Sequence, residues 1–113
     1  MKFNKTIYNK WIKALKSNKY AQGKGILLRT VNGRKQYCCL GVLGNLCNIS
    51  QSRLRRHGLL KDLVEFKLNP STDFFTRISL QEKLAEMNDN GKTFTQIAKT
   101  LETKKWKKFL GVE

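Results

Sequence analysis

The dipeptide Asn32-Gly33 limits the possible folds of this chain more than any other feature. It separates two strand-like runs, residues 26–31 and residues 34–39. Both central residues of a two-residue hairpin turn need positive φ, which Asn and Gly adopt at little cost. The sequence therefore predicts a β-hairpin whose register is set by this turn. The pairs expected on the solvent face are Val31/Arg34, Arg29/Gln36 and Leu27/Cys38, and those expected on the core face are Thr30/Lys35, Leu28/Tyr37 and Ile26/Cys39.

Helical patterns lie on both sides of the hairpin. Apolar residues between Ile7 and Leu15 recur at helical spacing, which predicts a first helix over about residues 6–18, capped by Asn4 or Thr6. Residues 39–47 are apolar and contain two glycines. We expect them to form a buried helix directly after the second strand, with the small residues where another backbone comes close. A short polar helix carrying three arginines is expected next, ended by Gly58.

The last third of the chain predicts a helical hairpin. Ser79 with Glu82, and Thr93 with Gln96, have the capping-box spacing, and each pair precedes a run of apolar residues at helical positions. A separate basic turn or short helix is expected to begin near Thr103. The spacing also fits the first two-thirds of a helix-turn-helix. The lysines that follow are typical of phosphate contacts rather than base contacts. We therefore expect the two helices of this helical hairpin to pack in the core rather than to read DNA bases.

These elements define an α+β fold: an N-terminal helix, a β-hairpin, a buried glycine-containing helix and a C-terminal helical hairpin. The length of 113 residues fits one domain spanning residues 1–113. The sequence does not decide whether residues 59–69 form a helix or a strand. The chain enters an amphipathic pattern close to Met1 and contains no apolar run of about 20 residues. We therefore expect a cytoplasmic protein without a signal peptide and without a membrane partner.

Charge is distributed very unevenly along the chain. Residues 1–61 contain fourteen Lys and Arg and no acidic residue, whereas residues 62–113 contain nine Lys and Arg and all eight acids. A solvated surface normally mixes both signs, because unmixed charge repels itself. The simplest alternative explanation is a genome of biased composition that encodes lysine throughout the protein. Such a bias would distribute acidic residues along the whole chain as well. The pattern favours a polyanionic partner.

The cations of this first half are the candidate nucleic-acid-binding residues. They are expected on the first helix, on the hairpin and beyond the buried helix. Because the screening length is about 8 Å at physiological salt, they act jointly only if the fold gathers them on one face. The nine candidates are Lys10, Lys13, Lys16, Arg29, Arg34, Lys35, Arg53, Arg55 and Arg56.

The three cysteines and the single histidine give no strong signal for a metal or for catalysis. Cys38 and Cys39 are adjacent, and neither forms a C-x2-C pair with Cys47. His57 is the only histidine, and Asp62 is the nearest acid that could orient it. We expect buried thiols that act as small apolar groups, no metal, no cofactor and no enzymatic activity.

Three segments of the chain carry a distinctive pattern of residues: Trp11 to Gly25, Tyr37 to Leu43, and Met87 to Glu102. They resemble a YCCLGVLCD-type core and a later LND-x-G-x-SF-x-x-IA motif. These motifs are shared by a family of small tailed-phage accessory proteins, which the chain therefore resembles. Gly44 and Asn45 stand where the family core has Cys and Asp. The family has no settled activity, so the resemblance implies a phage origin and expression in the host cytoplasm.

The sequence therefore predicts a non-enzymatic phage accessory protein that binds nucleic acid, or a nucleic-acid-containing host complex, through a basic surface. The alternative is an inhibitor that binds a protein, such as an anti-defence or host-takeover factor docking on an acidic host surface. The same cations would serve either function. The sequence leaves open whether the target is DNA, RNA or protein, and it leaves open the oligomeric state.

Overall fold

The computed structural model describes residues 5–59 and 78–112, and its architecture is α+β, as predicted. Six helices and three strands lie within those two ranges. In chain order they are α1 (Lys5–Lys16), β1 (Ala21–Gln22), β2 (Leu28–Val31), β3 (Arg34–Tyr37), α2 (Cys39–Leu46), α3 (Gln51–Leu54), α4 (Ile78–Asp89), α5 (Phe94–Leu101) and α6 (Lys104–Leu110).

The predicted hairpin and its register are confirmed over four residue pairs. Val31 lies opposite Arg34, and the ladder continues to the pair Leu28/Tyr37. Asn32 and Gly33 both have positive φ, at 51° and 77°. Because both turn residues are left-handed, the turn matches the right-handed twist of the two strands.

The prediction for the two faces of the hairpin is only partly right. Leu28 and Tyr37 are buried, whereas Thr30 and Lys35 on the same face are exposed. The expected pairs Leu27/Cys38 and Ile26/Cys39 lie beyond the ladder, because α2 begins at Cys39. Leu27, expected on the solvent face, is fully buried, and its carbonyl accepts a hydrogen bond from the Cys38 N–H.

A third strand was not predicted from the sequence. β1 pairs in parallel with β3, so the strand order of the sheet is β1-β3-β2. The strand formed by Ala21 and Gln22 is only two residues long and carries no alternating apolar pattern. Their pairing depends on β3 being in place, which sequence periodicity does not report.

The buried glycine-containing helix is confirmed as α2. Trp11 of α1 packs on it, and the indole N–H donates a hydrogen bond of 2.9 Å to the Cys39 carbonyl. A Cβ at Gly41 would lie 1.8 Å from the Leu27 carbonyl oxygen. Gly41 is therefore a position where another backbone approaches too closely for any side chain, as the sequence pattern indicated.

The short helix α3 is confirmed, but its predicted end is wrong. The helix ends at Leu54, well before Gly58, and Arg55 is its C-cap residue. Arg53 alone of the three arginines lies within the helical span. The ambiguous segment that follows falls largely on residues 60–77, which lie outside the described residues.

The C-terminal helices follow the prediction closely. The Thr93 hydroxyl accepts from the Gln96 N–H, and the Gln96 side chain accepts from the Thr93 N–H, so this capping box is complete. Ser79 lies inside α4 and is not its N-cap, which corrects the other predicted box. α6 begins after Thr103, whose hydroxyl accepts from the Trp106 N–H.

A single cluster of buried apolar side chains connects these elements. α1, α2, α4 and α5 supply most of it, including Trp11, Leu43, Leu84 and Ile97. The helical hairpin of α4 and α5 thus serves the core, as expected. None of the helices in the described ranges is long and apolar enough to cross a membrane.

Candidate nucleic-acid interface

All nine candidate cations are exposed to solvent. Three lie on α1, three on the hairpin and three on or just after α3. An exposed cation is accessible to a polyanion that diffuses to the surface. Local contacts separate these residues into two groups, one on α1 and one at the hairpin.

The α1 group consists of Lys10, Lys13 and Lys16. Their spacing of three residues places them on one side of the helix, away from the buried residues Trp11 and Leu15. Lys13 and Lys16 border an open cleft of about 570 Å³, which is also lined by Glu102, the C-cap residue of α5, and by α6. The Lys16 ammonium lies 2.6 Å from a Glu102 carboxylate oxygen, so the charge of Lys16 is partly neutralised.

The cleft also contains a lysine that sequence reasoning placed outside the basic surface. Lys107 of α6 borders it together with Lys13 and Lys16. The net charge of residues 62–113 is close to zero, which suggested that α6 contributes little. In space, however, Glu82, Glu86 and Asp89 follow one another at helical spacing along α4, so they lie on a different element from the lysines of α6.

The hairpin group begins with the face that carries Arg29 and Arg34. Both guanidinium groups belong to exposed residues. The Arg29 Nε–H donates a hydrogen bond of 2.9 Å to the Gln36 side-chain oxygen directly across the ladder. This contact holds the Arg29 side chain along the hairpin rather than free in solution.

The opposite face of the hairpin carries Lys35 and receives Arg55 from the end of α3. The Arg55 guanidinium donates to the Thr30 hydroxyl at 3.3 Å, and Thr30 pairs with Lys35 in the ladder. Burial raises the pKa of Tyr37, nearby Tyr20 raises it further, and the positive charge of Arg55 lowers it. The positive charge of Arg55 therefore acts on Tyr37, at the base of the hairpin.

The fold therefore gathers four of the nine candidates around the hairpin. Arg29 and Arg34 lie on one face, and Lys35 and Arg55 on the other. The remaining arginines, Arg53 and Arg56, are exposed close to Arg55 in the chain. The lysines of α1 have a different neighbourhood, formed by α5 and α6.

A buried polar network fixes the base of the hairpin to the C-terminal helices. Asn88 is fully buried, and its side-chain oxygen accepts from the Cys39 N–H at 3.2 Å and from the Gln22 amide at 3.0 Å. Its amide nitrogen donates to the Gly23 carbonyl at 2.7 Å and to an Asp89 carboxylate oxygen at 3.3 Å. Buried polar groups cost free energy unless they are paired, so these bonds specify the arrangement.

Gln22 extends this network to the next helix. Its amide donates to the Lys92 carbonyl at 2.7 Å, and its oxygen accepts from the Phe94 N–H at 3.1 Å. Neither Gln22 nor Asn88 was singled out from the sequence. The available signal was that both residues lie in the segments that resemble the phage family.

The three cysteines are free thiols inside the core, as expected. Burial raises the pKa of Cys38 to about 11 and that of Cys47 to about 12, and it raises the pKa of Cys39 well above 9.0. The Cys38 sulfur accepts from the Gly41 N–H and so caps α2. Protonated, enclosed thiols are poor nucleophiles. Among the described residues, no three His, Cys, Asp or Glu side chains are placed to hold a metal.

Comparison with known proteins finds a similarity to one family and indicates no activity. The profile of a family described as a domain of unknown function (DUF8296) matches residues 3–57, just under half of the chain. The matched segment includes all nine candidate cations and the whole hairpin. Searches of curated proteins and of solved structures found no match.

Proposed function

We propose that this chain is a non-enzymatic nucleic-acid-binding protein that contacts phosphates through the cations of its first half. The observation that carries the proposal is the absence of any acid from residues 1–61, together with the exposure of all nine candidate cations. Cations that neutralise phosphates release condensed counterions, and this release is the main source of sequence-independent affinity. Lys and Arg supply that term without needing a catalytic group.

The grouping of charge around the hairpin supports the same function. The cations there lie on two paired strands and on the end of α3, and neighbouring strands are about 4.8 Å apart, which is less than the screening length of about 8 Å. Arg29 and Arg55 are each held by a hydrogen bond to the hairpin. Side chains that are already oriented lose less conformational freedom on binding.

The resemblance to tailed-phage accessory proteins supports a setting for this activity. In that setting the chain is a phage protein made in the host cytoplasm, where its target is free nucleic acid or the nucleic acid of a host complex. The alternative function is inhibition of a host defence or nucleic-acid-handling complex. In that case the same basic surface would contact the carboxylates of a host protein.

Salt dependence of binding tests the proposal directly. Affinity for duplex DNA should fall with a log–log slope of about −0.9 per phosphate contacted, and for single strands with about −0.7. The triple variant Arg53→Gln/Arg55→Gln/Arg56→Gln should lower both the affinity and the slope. Gln keeps most of the side-chain length and hydrogen bonding but removes the charge.

A matched control uses three exposed lysines of α6, in the variant Lys104→Gln/Lys105→Gln/Lys108→Gln. It removes the same charge, so a smaller loss than that of the arginine variant places the contact surface on the first half. Equal losses would place it elsewhere. Absence of binding to any nucleic acid at low salt would refute the proposal and favour the protein-binding inhibitor, to be sought by pull-down from host lysate with and without nuclease.

A further inference from the structure

The outer part of the hairpin, residues 29–36, projects from the core. Every residue from Arg29 to Lys35 is exposed, on both faces of the ribbon, and Gln36 is half-buried. Burial begins only at Leu28 and Tyr37. We call residues 29–36 the arm.

Such an arm gains little stability from packing. Antiparallel ribbons normally bury one face, and an isolated two-stranded hairpin is only marginally stable in water. Val31, next to the turn, is 38% exposed and does not belong to the core cluster. Three exposed residues of β2 and two of β3 thus lie outside the core, which points to a role at the surface.

The cations of the arm are arranged on two sides. Arg29 and Arg34 extend from one face, and Lys35 extends from the other, where Arg55 joins it through Thr30. The arm and the whole of residues 1–61 contain no acid. A ligand that complements this arrangement carries negative charge on both sides of the ribbon, as the two phosphate walls of a nucleic-acid groove do.

We infer that the arm inserts into the major groove of duplex DNA. The major groove of B-form DNA is about 12 Å wide and about 8.5 Å deep, and it admits a two-stranded β-ribbon. The ladder from Arg29/Gln36 to Val31/Arg34 extends about 7 Å, and the turn adds to that length, so the arm reaches the depth of the groove. Val31 at the tip supplies an apolar contact for a thymine methyl group.

The same geometry disfavours the other forms of nucleic acid. The major groove of A-form RNA is deep and too narrow for side chains to read, and a single strand offers no pair of phosphate walls. This inference rests on the proposed function and narrows it: the target is double-stranded DNA, and the contact is the arm.

Methylation protection and affinity together test the inference. Dimethyl sulfate methylates guanine N7, which lies in the major groove. We expect the full chain to protect guanines of a bound duplex at low salt. The double variant Arg34→Gln/Lys35→Gln should abolish this protection, lower the affinity for duplex by about 60-fold at about 0.1 M salt, and reduce the salt slope by about 1.8.

The control is the variant Lys104→Gln/Lys105→Gln, which removes the same charge from α6. It should keep the guanine protection, and circular dichroism should show that both variants are folded. Equal affinity for duplex RNA or for a single strand, unprotected guanines in bound duplex, or equal losses from both double variants would refute insertion of the arm while leaving the proposed function intact. Absence of binding to all three nucleic acids would refute both.

Discussion

The buried amide of Asn88 provides the sharpest test of how this fold is held together. In Asn88→Ala, two buried groups lose their partners: the Cys39 N–H and the Gly23 carbonyl. Each buried polar group left unpaired costs about 1–3 kcal/mol. The expected loss of unfolding free energy is therefore about 4 kcal/mol, a large part of the roughly 5–15 kcal/mol typical of a domain.

Urea denaturation at neutral pH measures this loss. With an m-value of about 1–3 kcal/mol/M, the midpoint should fall by more than about 1 M. Asn90→Ala, two residues along the chain at an exposed position, should change the stability by less than about 0.5 kcal/mol. A loss below about 1 kcal/mol for Asn88→Ala would show that the network contributes little net stability and would refute the reasoning.

Asn88→Asp distinguishes hydrogen bonding from shape in the same position. The carboxylate keeps both acceptor contacts but faces the Gly23 carbonyl and the Asp89 carboxylate with no donor. We expect it to be destabilised at neutral pH and partly rescued in acid, where a protonated carboxyl group donates again. Equal stability of the Asp and Asn proteins at neutral pH would contradict the assigned donor direction.

Three further outcomes follow from the backbone and the thiols. Gly33→Val should destabilise the protein by about 1–2 kcal/mol, since a β-branched residue resists the φ of 77° at this turn, and an unchanged melting temperature would contradict the tight hairpin. Gly41→Ala should cost several times the roughly 1 kcal/mol of an average point substitution, because its Cβ would meet the Leu27 carbonyl at 1.8 Å; near-native stability in urea would show that α2 moves freely. The folded chain keeps the proton on Cys47 up to about pH 12, whereas the unfolded chain releases it near 9.0, so stability is fully present below 9.0 and lost above it. Urea titrations should show about 1 kcal/mol of loss per pH unit from this thiol above 9.0, and Cys47→Ala should show a shallower fall over the same range.

Local chemistry determined much of this fold from the sequence by itself. The Asn32-Gly33 turn sets the ladder because its two residues accept left-handed backbone, and Thr93 with Gln96 starts α5 because the two side chains satisfy nearby N–H groups. Both effects act over a few residues and leave a short pattern. The same is true of the apolar spacing that buries Trp11 and the helices of the core.

The tertiary structure alone decided how these elements meet. Gln22 and Asn88 are 66 residues apart, and nothing local indicates that one amide bonds the other. Ser79 has the spacing of a cap but lies within α4, so the cap pattern alone did not locate this helix. Net charge summed along the chain also did not indicate where Lys107 lies: electrostatic interaction depends on distance in space, and α6 brings this lysine to the cleft beside α1. Side chains that act across the fold leave no periodic signal, so only the assembled structure brings the charges of α1, the arm and α6 to their places.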